Sequence, residues 1–267
     1  GGTGAYQFVD QDVPVAEIEE IIVGSKDMSF EDYVDCRIMN LIVEAYFNNG
    51  VFDEVFAALR AMKLSVFDFL IYLHKHEEFY TPKVKDIIAS FVQRTKYDLY
   101  DSWKDAEAYA LHPDRLSKFI SGQIGSNELL EHQAKLFSEL EEVLVTTISA
   151  VKSFLIERGM LNDAASDYFD QIQTFTLLRK QQIQESDLDF RFEFNYDFTA
   201  ISKLNYEVDP RYVDQADPAN TLRFFHTPSQ QDHIKHAKAL WDNHPGGIGR
   251  MFQRSNLKMM YRNFELV

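Results

Sequence analysis

Arg250, Arg254, Lys258 and Arg262 recur every four residues near the end of the chain. On one continuous helix that spacing lines their charges along a single face. Such a basic ridge can hold a phosphate-bearing ligand or dock on an acidic partner surface. It equally suits a solvated face paired with the chain's own carboxylates, which is the simpler reading. His233 and His236 stand three apart on an expected helix, close enough to share a metal ion. They lack the flanking glutamate and third histidine of a zinc-protease helix, so ordinary packing or a surface position is expected. His74 and His76 are two apart and face different directions on a helix. Gly246-Gly247-Ile248-Gly249-Arg250 resembles a phosphate loop ahead of a helix, but a helix rather than a strand precedes it. It reads as a helix-to-helix turn.

Nucleophilic chemistry finds no motif. The chain has one cysteine, Cys36, which excludes an internal disulfide, a multi-cysteine zinc site and a cluster held by several thiolates. Its place in an apolar helical pattern predicts a buried, inert thiol. There is no Gly-x-Ser-x-Gly elbow and no Gly-Lys-Ser/Thr loop, and none of the many carboxylates is marked out as an acid/base couple. No catalytic residue is assigned.

The background charge is strongly negative, with 27 basic and 42 acidic residues giving −15. That argues against a general nucleic-acid binder and against an anionic membrane surface. With no apolar run of membrane-spanning length and no signal-peptide profile, a cytoplasmic location is expected. Hydrophobic residues form 45% of the 267, enough to build a core without staples. Seven prolines and 11 glycines favour helices over a turn-rich β fold.

These groups must be positioned by a mainly α architecture: a multi-helix bundle with a short N-terminal strand and a small β-hairpin or mixed element near the C-terminus. Residues 15–23 alternate and then run apolar, which predicts a strand lacking a neighbour. Ser29 opens a capping-box-like helix start, and Asn48-Asn49-Gly50 ends that helix. Helices are predicted from Asp53 to Met62, after Ser65, from Thr81-Pro82 to about Ala110, and around Leu116–Ile120. The longest is expected at 126–158, where Leu130, Phe137, Leu144 and Val151 repeat every seven residues. The stripe is too broad for a two-stranded seam and suits packing inside a bundle. Asn162 caps the next helix, about 163–183, making an antiparallel hairpin.

The pattern changes near Ser186. Phe190, Phe192 and Phe194 alternate with polar residues as a strand, with Thr221 to Phe225 as its partner. A helix follows from Pro228 to Trp241, a break at His244-Pro245-Gly246-Gly247, and a last helix over about 248–264. The chain thus divides into a helical body, 1–185, and a small mixed part, 186–267, packed as one unit.

The stretch Val15-Ala16-Glu17-Ile18-Glu19-Glu20-Ile21-Ile22-Val23-Gly24-Ser25, followed by Met28-Ser29-Phe30-Glu31-Asp32-Tyr33, resembles the junction beyond the catalytic barrel in cobalamin-binding radical SAM enzymes. Asp35-Cys36-Arg37 and Leu41-Ile42-Val43-Glu44 continue the likeness, and Gly247-Ile248-Gly249-Arg250 with Tyr261-Arg262-Asn263 resembles the family's C-terminal end. The specific likeness spans about 40 residues at the N-terminal end. It implies a C-terminal accessory domain that covers the barrel or aids substrate binding. It further implies that the [4Fe–4S] cluster, S-adenosylmethionine and cobalamin belong to N-terminal radical SAM and cobalamin-binding domains of the same protein. No family catalytic residue carries over, because the CxxxCxxC signature has no counterpart here. The alternative is a helical interaction and assembly module using the helix at 126–158.

Overall fold

The computed structural model describes residues 3–16, 18–121, 123–125, 127–241 and 247–267. It opens with an antiparallel hairpin, Thr3–Phe8 (β1) and Gln11–Ala16 (β2), turned at Val9 and Asp10 with Phe8 opposite Gln11. This corrects the strand expected at 15–23. The strand lies earlier and has its own partner, and residues 18–24 carry no regular structure. The apolar run Ile21-Ile22-Val23 misled the expectation, since Ile22 is 77% exposed.

The helical body follows as Phe30–Ile42 (α1) with a π-helical turn to Asn48, Asp53–Ala61 (α2), Val66–Lys75 (α3) and Pro82–Tyr97 (α4). Next come Trp103–Ala110 (α5), Pro113–Ile120 (α6), Glu128–Ser138 (α7), Leu140–Ile156 (α8) and Asp163–Lys180 (α9). The starts obey local chemistry. Ser29 accepts from the Asp32 amide while the Asp32 carboxylate accepts from Ser29, closing a capping box. Ser65, Thr81 and Asn162 cap α3, α4 and α9 as their sequences require.

Two expected helices are broken. The one from Thr81 stops at Tyr97, and Ser102 caps a new helix, α5. The helix at 126–158 divides at Glu139, whose backbone leaves helical geometry at φ −102° and ψ 38°. Just before it, the Ser138 hydroxyl donates to the Ala134 carbonyl, a bond that bends helices. The break serves packing: α7 lies against α4, while α8 runs through the centre against α3 and α9. Of the heptad positions, Phe137, Leu144 and Val151 are buried in this chain's own core and Leu130 is half-buried. Ser126, the first residue of the expected helix, lies outside the described residues.

The C-terminal part holds a three-stranded antiparallel sheet in the order β3-β4-β5: Phe190–Phe194 (β3), Asn220–Phe225 (β4) and Asn263–Leu266 (β5). The predicted partners pair, with Phe190 opposite Phe224 and Phe194 opposite Asn220. Phe198–Lys203 (α10) and Pro228–Trp241 (α11) come between and after them. The last helix expected over 248–264 is instead Gly247–Arg254 (α12), a 3-10 turn Leu257–Met260 capped by Asn256, and β5. The break expected at His244-Pro245-Gly246 lies outside the described residues.

One buried cluster runs through both parts, from Leu41 and Phe69 to Phe224 and Tyr261. Phe175 on α9 joins the halves. Its ring meets Phe194 of β3, Phe198 of α10, Phe224 of β4 and Phe264 of β5 at centroid distances of 4.6 to 6.0 Å. Beside it, Lys180 is fully buried. Its ammonium donates to the Gly50 and Val51 carbonyls and to Glu54, whose other oxygen accepts from Arg179. Burial lowers the Lys180 pKa, with Glu54 acting against that shift.

Candidate functional site

The basic ridge does not survive folding as one face. Arg262 lies beyond the helix, just before β5, and is buried, with its guanidinium donating to the carbonyls of Leu178, Gln181 and Gln182 at the end of α9. Those carbonyls carry the negative end of the helix dipole, so the charge is held without a carboxylate. Burial lowers its pKa to about 10. Lys258, in the 3-10 turn, pairs with Asp53 at 3.1 Å. Arg262 is therefore spent on structure, and Lys258 is half-exposed but paired. Only Arg250 and Arg254, one turn apart on α12, remain together.

These two arginines open into a cleft of about 1350 Å³. Its other walls come from residues 18–24, the C-terminal end of α4, the 98–102 loop, α5 and the start of α7. Met251 and Phe252 fix α12 from behind, with the Phe252 ring edge-on to Phe137 at 5.0 Å. Arg250 bonds Gln253 at 3.1 Å, and Arg254 has no hydrogen-bond or ion-pair partner among the described residues. The other cations there are committed: Arg94 to Asp98 at 2.8 Å and Lys96 to Glu31 at 3.5 Å.

Aromatic side chains supply the rest. Phe30, Tyr100, Trp103, Tyr109 and Phe119 line the cleft, and Trp103 is 50% exposed. Tyr97 and Tyr109 share a 3.2 Å hydroxyl contact, and the Arg115 guanidinium lies 3.6 Å from the centre of the Tyr109 ring. The bond to Tyr109 holds the Tyr97 hydroxyl below its ordinary pKa, while burial pushes Tyr100 and Tyr109 up. Burial also raises the Asp98 carboxyl, with Arg94 opposing. The sequence offered no signal for this wall. Its members come from four separated segments, each of which reads as ordinary helix or loop.

The remaining candidates are dispersed. His233 and His236 are both exposed on α11, and no group of three or more potential metal ligands occurs among the described residues. His74 pairs with Asp35 at 2.8 Å and His76 with Glu78 at 2.6 Å, so the two rings share no partner. Cys36 is exposed, against the expectation of a buried thiol. It sits on α1 beside exposed Asp35, on the face turned from the core that Val34 and Leu41 enter. A single thiolate does not fit a [4Fe–4S] cluster, so no step through such a group is assigned to these residues. A second cavity of about 420 Å³, around Ile201, Leu204, Val208 and Tyr212, is chiefly apolar.

Two buried histidines make stability pH-dependent. His132 contacts the Glu128 carbonyl at 2.7 Å and Ser90 Oγ at 3.2 Å; His226 contacts the carbonyls of Met260 and Ser186. Burial lowers both pKa values. The unfolded chain then binds more protons below an ordinary histidine value of about 6.5, so stability is full above that pH and falls as pH drops through it, by up to about 1.4 kcal/mol per pH unit per group. Urea unfolding at a series of pH values from neutral down to the mid-fives checks this. A flat stability across the series would contradict it.

No helix among the described residues is long and apolar enough to cross a membrane. No family model, curated protein or solved structure matches the chain.

Proposed function

We propose that this chain is the C-terminal accessory region of a cobalamin-dependent radical SAM enzyme, bordering the barrel or aiding substrate binding, without catalysis of its own. One observation carries the reading. The two segments on which the resemblance rests are more than 200 positions apart, yet both line the same cleft: Ile18 to Phe30 from one end and Arg250 from the other. A cleft built from both would be the face turned to the rest of the enzyme. The cluster, S-adenosylmethionine and cobalamin would be held by the N-terminal domains of that protein, which are this region's partners, and a cytoplasmic location accompanies the reading. Assembly through 126–158 has less support, because three of the four heptad residues that would form its seam, Phe137, Leu144 and Val151, are buried within this chain.

The test uses the intact reading frame, purified with cobalamin and a reconstituted cluster. The paired substitution Arg250→Glu and Arg254→Glu should lower turnover at least about tenfold, the scale of one lost charge-assisted contact, while unfolding stays unchanged. Unchanged kinetics, or an intact protein that assembles no iron–sulfur cluster, would sink the proposal.

A further inference from the structure

We infer that the cleft binds a nucleotide-type ligand, with phosphate on Arg250 and Arg254 and a planar base against Trp103 and Tyr100. The inference rests on the cleft being a ligand-binding face and not on the family of the parent enzyme. Four observations lead to it.

The two arginines are the cleft cations that pair with no carboxylate among the described residues, in a chain whose acidic residues outnumber its basic ones by 42 to 27. Guanidinium forks match phosphate oxygens bidentately, and two of them one helical turn apart can hold a diphosphate. Their helix is anchored by the buried Met251 and Phe252, so less order has to be imposed on binding.

The aromatic wall is partly unused. Trp103 makes no ring contact among the described residues, and Tyr100, 37% exposed, meets only Tyr109, at 5.1 Å. Exposed rings of this kind beside cations are how proteins hold planar bases without reading their sequence.

The carboxylates in the cleft divide into two sets. Asp98 and Glu128 are neutralised by Arg94 and Arg37. Glu19, Glu20 and Asp101 are exposed on the 18–24 and 98–102 walls. A polyanionic peptide would be repelled there, whereas a base bearing an exocyclic amine presents N–H donors that these oxygens can accept. Finally, the volume of about 1350 Å³ exceeds what a lone phosphate needs and accommodates a nucleotide with solvent.

Equilibrium dialysis of the 267-residue chain against ADP, inorganic pyrophosphate and adenosine tests the assignment. ADP should bind saturably with a Kd below about 1 mM, tighter than either pyrophosphate or adenosine. The Arg250→Glu, Arg254→Glu pair should weaken ADP at least about tenfold. Trp103→Leu, a change at an exposed side chain, should bring ADP down to the affinity of pyrophosphate. Absence of saturable ADP binding, equal binding by the charge-reversed chain, or pyrophosphate matching ADP on the unaltered chain would each overturn it. Loss of turnover in the intact enzyme without ADP binding would leave the accessory-region reading standing and remove this one. ADP binding by a protein that assembles no cluster would do the reverse.

Discussion

Lys180→Met is expected to lower the unfolding free energy by about 3–5 kcal/mol, read by urea denaturation at neutral pH. The size follows from what the ammonium leaves behind. Its three acceptors, the carbonyls of Gly50 and Val51 and the Glu54 carboxylate, are buried with it, and Glu54 is 1% exposed. Removing the cation strands a buried anion that Arg179 alone then serves, and Arg179 is itself partly solvated. The loss of one partner is costly where loss of both is milder. The double substitution Lys180→Met with Glu54→Leu should therefore recover part of the deficit. It should not recover all of it, because the Val51 carbonyl loses its donor and the Gly50 carbonyl keeps only the Asp53 amide. If the double variant is less stable than Lys180→Met, the stranded charge is not the cause. The position explains why so much hangs on one side chain: Gly50 follows the first helical segment, Glu54 lies on α2 and Lys180 closes α9, so one ammonium ties the junction of the first two helical segments to a helix 126 to 130 residues further on.

Phe175→Ala should cost about 3–5 kcal/mol, the range for emptying a large buried aromatic site. The ring is wholly buried and touches one aromatic from each strand of the C-terminal sheet and one from α10. The three strand neighbours, Phe194, Phe224 and Phe264, cannot collapse into the space without disturbing the pairing of the sheet. Phe192→Ala is the control, since that ring is 44% exposed and should cost about 1 kcal/mol or less. Comparable losses at both positions would mean that Phe175 is not the junction between the helical body and the sheet. Because the same cluster runs through both parts, the unfolding curve of Phe175→Ala should remain a single transition.

The sequence alone determined what depends on neighbours along the chain. Ser29, Ser65, Thr81-Pro82 and Asn162 announced helix starts because each offers a side-chain oxygen to amides two or three residues away. The alternation of Phe190, Phe192 and Phe194 announced a strand, and its partner, expected from Thr221 to Phe225, followed from a second short run of the same kind. The mainly helical class followed from these signals and from the scarcity of glycine and proline. Tertiary structure decided everything that depended on a distant partner. Whether 263–266 continued a helix or joined β4 rested on Phe264 reaching Phe175 and on Arg262 reaching the end of α9, neither visible in local periodicity. The same contacts dissolved the four-residue basic ridge: Arg262 was buried against carbonyls, Lys258 was left half-exposed in a pair with Asp53, and two were left in the cleft. Spacing by four establishes a shared face only while the helix continues. Here it stops after Arg254, and that break separates the structural cations from the pair available to a ligand.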